Sequence, residues 1–235
     1  MKHDIVYILK SDIAPGEIKY SLRSVEQNFP HGRVFFFCGC PQGIKPDRYI
    51  RFEQKGVSKW EKATSTYRKI CETDEVSDDF WLFNDDFFVL EKIEELPYMY
   101  GGTLKERVDD LISRRGISTY AMMLKATALT LEASGCDTLD YALHVPMLLN
   151  KQKVLDTLEA FPKSPMFRSL YGNYNQVGGI KTNDVKIYDR VGLPKNGQTL
   201  LSTADTSFNL GKVGNYIRNK FTEASRWEIE HVKSL

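Results

Sequence analysis

Cysteine is scarce in this chain, with four in 235 residues. Cys38, Cys40, Cys71 and Cys136 fit neither a disulfide framework nor the paired CxxC spacing of a zinc site. Cys38-Gly39-Cys40 reads as buried, reduced thiols at a strand end. Charge of one sign is lacking too: 32 Lys and Arg stand against 31 Asp and Glu, for a net charge of +1. No global field therefore draws the chain to nucleic acid or to an anionic membrane, and an acidic partner has to be recognised locally. Nucleic acid is a disfavoured partner, with only a local basic patch from Arg218 to Arg226 pointing the other way. Long apolar runs are missing, so no membrane span is expected, and Met1-Lys2-His3-Asp4 before a short apolar run is no signal peptide. A cytoplasmic location is the expectation. Nothing in the sequence speaks to oligomeric state.

What is present is enough apolar material, 42% of residues, for one α/β domain over 1–235. Ile5 to Leu9 reads as a strand, and Ile18, Leu22, Val25 and Phe29 recur at helical spacing until Pro30. Val34-Phe35-Phe36-Phe37-Cys38 is a continuous apolar run of buried-strand type. Trp60, Ala63, Tyr67, Ile70 and Cys71 mark a second helix face, and Phe80 to Phe83 a third strand. Right-handed crossovers turn this β-α-β-α-β order into a mostly parallel, Rossmann-type sheet flanked by helices, with its ligand crevice beyond the strand carboxyl ends. About 1–100 forms this nucleotide-binding part. About 101–235 is more helical, with patterns near 118–133, 150–161, 167–177 and 212–221, and reads as the acceptor-binding or sugar-binding part. Leu104 to Arg115 reads as an exposed, charged segment, and Gly178 to Asn196 as a connection.

The most informative block is Asp79-Phe80-Trp81-Leu82-Phe83-Asn84-Asp85-Asp86-Phe87-Phe88. Carboxylates between apolar blocks need a cation or a donor, because an unpaired buried carboxylate costs several kcal/mol. Asp85 and Asp86, where the third strand runs out, suit Mg²⁺ or Mn²⁺ holding phosphate oxygens. A polar turn between two strands explains the same letters. His144, in Tyr141-Ala142-Leu143-His144-Val145-Pro146-Met147, is the candidate base, or else a hydrogen-bonded core histidine. Arg168 suits a bidentate grip on a diphosphate, or a surface ion pair. Leu201-Ser202-Thr203-Ala204-Asp205-Thr206-Ser207 reads as a helix cap or a sugar-binding loop. Ser202 is its candidate substrate contact and Asp205 a reserve base.

Three blocks resemble a known family: Asp4-Ile5-Val6-Tyr7, then Glu17-Ile18-Lys19-Tyr20-Ser21-Leu22-Arg23-Ser24-Val25-Glu26-Gln27-Asn28, then Phe83-Asn84-Asp85-Asp86-Phe87-Phe88. With His144-Val145-Pro146 and Phe167-Arg168-Ser169-Leu170-Tyr171-Gly172 downstream, the chain resembles the Stealth proteins, which include bacterial capsular-polysaccharide phosphotransferases and the lysosomal-enzyme N-acetylglucosamine-1-phosphotransferase. The resemblance implies a GT-A-like core, a divalent cation, and transfer of sugar 1-phosphate from a nucleotide sugar to a hydroxyl of a glycan or polymer. Tyr7 continues into Ile8-Leu9-Lys10-Ser11-Asp12, where the family has a Trp-Val run, so ordinary glycosyl transfer and a non-catalytic sugar-binding module stay open. Under the transferase reading Asp85 and Asp86 hold the metal, Asp86 shares in catalysis with His144 or Asp205, and Arg23, Asn84, Arg168 and Ser202 contact substrate.

Overall fold

The computed structural model describes residues 2–229. Its central sheet has five strands in the order β3-β2-β1-β4-β7. These are β1 (Asp4–Leu9), β2 (Val34–Cys38), β3 (Arg48–Ile50), β4 (Asp79–Phe83) and β7 (Met147–Asn150). The first four run parallel and β7 runs antiparallel to β4, with Leu82 opposite Met147 and Asp79 opposite Asn150. The fold is therefore the mostly parallel α/β architecture expected. The antiparallel edge strand is not legible as a strand in the sequence, because three apolar residues before Asn150 fit a helix end equally well.

Both faces of the sheet are covered, which is why β2 is buried at all five positions. Ile5, Tyr7, Val34 and Phe36 pack against Ile18, Leu22 and Val25 of α1 (Gly16–Asn28). Alternate residues Val6, Phe35 and Phe37 face the other way, toward Tyr67 and Ile70 of α2 (Lys59–Cys71) and Val154 and Leu158. Ser58 and Glu61 close a capping box that fixes where α2 begins.

After β4 the chain leaves the central sheet. β5 (Phe87–Val89) joins a second sheet of order β5-β10-β9, built with β9 (Lys186–Ile187) and β10 (Leu200–Thr203). Between them in sequence lie β6 (Met99–Tyr100), which pairs with β8 (Ile180–Lys181), and the helices α3 (Leu104–Arg115), α4 (Thr119–Ala133), α5 (Lys151–Ala160) and α6 (Phe167–Tyr174). The charged segment at 104–115 is thus a capped helix, with Thr103 and Glu106 forming its capping box. Short helices α7 (Asp205–Leu210) and α8 (Lys212–Lys220) follow β10, and an irregular segment at 221–229 ends the described chain. No helix among the described residues is long and apolar enough to cross a membrane.

Candidate active site

The turn after β4 sits at the carboxyl edge of the sheet, with the Phe87 amide donating to the Asn84 carbonyl (3.2 Å). Strand pairing then decides what meets the acids. Ser202 lies opposite Phe87 in the antiparallel β5-β10 pair and beside Lys186 in the parallel β10-β9 pair. This register brings the Ser202 hydroxyl to 2.8 Å and the Lys186 ammonium to 2.7 Å from Asp86 Oδ2. Burial works against the charge on Lys186, but Asp86 outweighs it and raises the lysine's pKa. Asp86 itself is buried. Asp85 is half-buried with no such partner, and burial together with the neighbouring Asp86 pushes its carboxyl upward.

His144 lies in the segment leading into β7 and is held twice by Asp184. Its ring Nδ1 is 2.8 Å from Asp184 Oδ2, and its amide donates to Oδ1 (3.1 Å). Nε2 is the ring nitrogen left for a ligand. Burial alone would raise the Asp184 pKa, and the hydrogen bonds from His144 overcome it and lower it. From the other side Arg168, in the first turn of α6, donates from Nη1 to the Leu143 carbonyl (2.6 Å) and from Nη2 to the Val145 carbonyl.

Two clefts meet at the Asn84-Asp85 turn. One, of about 510 Å³, is walled by Trp60, Tyr67, Tyr120, Phe167 and Tyr188 and includes Asn84 and His144. Lys59, Arg107 and Arg168 line it, and among the described residues no carboxylate does. The other, of about 300 Å³, carries Asp12, Glu17, Asp85 and Asp205, with Lys10 as its only cation among the described residues. Glu17 accepts from the Thr203 hydroxyl, yet burial, with added repulsion from Asp86, Asp85 and Asp205, pushes its pKa up to about 7.

The expected site residues divide accordingly. Asn84 and His144 share the basic cleft with Arg168, while Asp85 and Asp205 share the acidic one. Ser202 is buried and spent on Asp86. Arg23 is bound elsewhere: its guanidinium meets both carboxylate oxygens of Glu228 at 2.6 and 2.8 Å and donates to the carbonyls of Phe221 and Thr222. That is a structural tie between α1 and the C-terminal segment, and it commits four of the five N–H donors of Arg23 to protein. A cation shared by Asp85 and Asp86 would compete with Lys186 and Ser202 at Asp86 Oδ2 and would have Asp85 and Asp86 Oδ1 to meet. Among the described residues no three His, Cys, Asp or Glu side chains gather as a metal cage.

Five charged residues of the site are not singled out by the sequence, Lys59 at the first position of α2 among them. Asp184 and Lys186 sit in what reads as a plain connection, and their only signal is two opposite charges at alternate positions. Arg107 reads as part of a solvated helix face. Glu17 opens the second block of the family resemblance, but carries no role there.

No family model matches the chain, and no curated protein matches it. Among solved structures it is similar to the glycosyltransferase GlyE in Streptococcus pneumoniae TIGR4, at 12% identity and a TM-score of 0.36 over 94% of this chain. It spans half the length of that protein, 50%. It is also similar to the galactosyltransferase LgtC in complex with donor and acceptor sugar analogs, at 11% identity and a TM-score of 0.39, covering 79% of this chain and 75% of that one. An active-site mutant of LgtC aligns over the same shares, 79% and 75%, at 9% identity and a TM-score of 0.39. These likenesses are too distant to place any residue.

Proposed function

We propose that the protein is a transferase that takes a nucleotide-sugar donor of the UDP-sugar type and moves its sugar, or its sugar 1-phosphate, to a hydroxyl of a glycan or polymer acceptor. One observation carries this: among the described residues, the cleft of about 510 Å³ at the carboxyl edge of the sheet has three cations, aromatic walls and no carboxylate. A diphosphate brings negative charge that Lys59 and Arg107 meet directly and that the fixed charge of Arg168 favours, and the rings suit the flat faces of a base and a sugar. The family resemblance in the sequence supports the same substrate class.

His144, oriented by Asp184, takes the proton of the acceptor hydroxyl through Nε2. In sugar-phosphate transfer the acceptor oxygen then bonds to the β-phosphorus and nucleoside monophosphate leaves. In glycosyl transfer it bonds to the anomeric carbon and nucleoside diphosphate leaves. Positive charge in the cleft stabilises the leaving group in both cases.

The test is chromatography of the nucleotide released from UDP-, GDP- and CDP-linked sugars, each with Mg²⁺, with Mn²⁺ and with EDTA. Monophosphate release establishes sugar-phosphate transfer, and diphosphate release establishes glycosyl transfer. Absence of both release and binding across the panel refutes the transferase reading.

A further inference from the structure

Arg168 lines the basic cleft, but two arms of its guanidinium are committed to protein, to the carbonyls of Leu143 and Val145. Those are the carbonyls immediately before and after His144. The third nitrogen, Nε, is buried with no hydrogen-bond partner. No carboxylate forms an ion pair with Arg168 among the described residues. A half-buried guanidinium whose Nε is buried without a partner, and which has no counterion, is a poor way to stabilise a fold, because the unsatisfied group carries its desolvation penalty.

We infer that Arg168 is a positioning residue, which fixes the backbone on both sides of His144 so that the imidazole meets the acceptor hydroxyl, and that it is not itself a ligand of the donor diphosphate. The inference rests on the transferase reading above. Its physical basis is the shape of the side chain. Two carbonyls flanking one residue are bridged by a planar fork with fixed N–H directions, and the single ammonium of a lysine does not reproduce that span. Asp184 grips the same residue through ring and amide. His144 is thus clamped from two elements that meet only in the folded chain, α6 and the segment between β8 and β9. A base held in this way loses little orientational freedom when substrate arrives.

The discriminating variant is Arg168→Lys, which keeps the positive charge in the cleft and removes the fork. With the UDP-sugar identified by the release assay, it is expected to lower kcat at least 30-fold while the Kd for UDP stays within threefold of wild type. The His144 imidazole resonances in ¹H–¹⁵N spectra are expected to shift or broaden. A rise of tenfold or more in Kd for UDP with kcat near wild type overturns the inference and makes Arg168 a phosphate ligand. Unchanged kcat, Kd and imidazole resonances overturn it as well. Should Arg168→Lys not fold, Phe87→Leu, which alters the ring 5.9 Å from the guanidinium, serves as the second variant. It is expected to show a smaller fall in kcat, again without loss of UDP affinity, and no change in kcat there overturns the inference. If wild-type protein binds no UDP, GDP or CDP, the donor reading fails and the inference with it, an outcome distinct from all of these.

Discussion

Lys186 and Asp86, a hundred positions apart in sequence, close to 2.7 Å at the carboxyl edge of the central sheet. The pair is mostly buried, and Ser202 completes it. It separates two neighbouring acids into different kinds of residue: Asp86 is built into the fold, whereas Asp85 faces the acidic cleft without a cation of its own.

The two alanine variants should therefore differ in stability. Asp86→Ala leaves the Lys186 ammonium buried without its partner and is expected to cost about 3 kcal/mol. Asp85→Ala removes a carboxylate crowded by other acids and is expected to leave the urea midpoint unchanged or to raise it. Equilibrium denaturation of the two variants side by side checks this, and equal midpoints would refute it.

Glu17 makes stability depend on pH near neutrality. Its pKa is about 7 in the fold against 4.5 for the free side chain, so between those values the native state binds more protons than the unfolded one. Stability then falls as pH rises from about 4.5 to about 7, and the loss is complete above that range. Glu17→Gln should flatten this part of the profile and gain on the order of 1–3 kcal/mol at pH 8. Thermal midpoints of both proteins from pH 5 to 8 test it, and parallel curves would contradict it.

For the reaction itself, His144→Gln is expected to lower kcat by roughly 10²- to 10⁴-fold, the usual contribution of a general base. Asp184→Asn keeps the size of the orienting group but changes what it can accept, and should lower kcat with a smaller change in KM for the donor. Steady-state kinetics on the donor found by the release assay measure both. A histidine variant with wild-type kcat would remove the base assignment.

Arg23 separates structure from recognition. Arg23→Met breaks the double contact with Glu228 and is expected to destabilise the protein by about 3 kcal/mol. Titration with UDP should give an affinity within threefold of wild type. A large loss of affinity in a folded variant would return Arg23 to the substrate contacts.

Much of the frame is legible in the sequence because β1, β2 and β4 are short apolar runs alternating with helical periodicity, which the parallel sheet requires. The same logic places Asn84, Asp85 and Asp86 at the carboxyl edge. What cannot be read is pairing over distance. Lys186 becomes meaningful only through the β10-β9 register, and Asp184 only through its contacts with His144. The arginines mislead for a chemical reason: a guanidinium suits a phosphate, a carboxylate and a backbone carbonyl equally well, so composition alone does not say that Arg23 meets Glu228 or that Arg168 meets two carbonyls. Of the local signals, the apolar setting of His144 is the informative one, since a polar ring there needs a partner.

The direction of β7 has a consequence for how the halves of the chain cooperate. Because it runs against β4, the chain arrives at Met147 on the side where β4 departs at Leu82 and Phe83. His144, three residues upstream, and Asn84, two residues downstream, therefore overhang one rim. Had the strand run parallel, its first residue would have lain at the far rim, roughly 10–13 Å away for a four-residue strand at about 3.3 Å per residue. Reversing a single short strand is what lets the helical second half deliver His144 to a crevice laid out by the first.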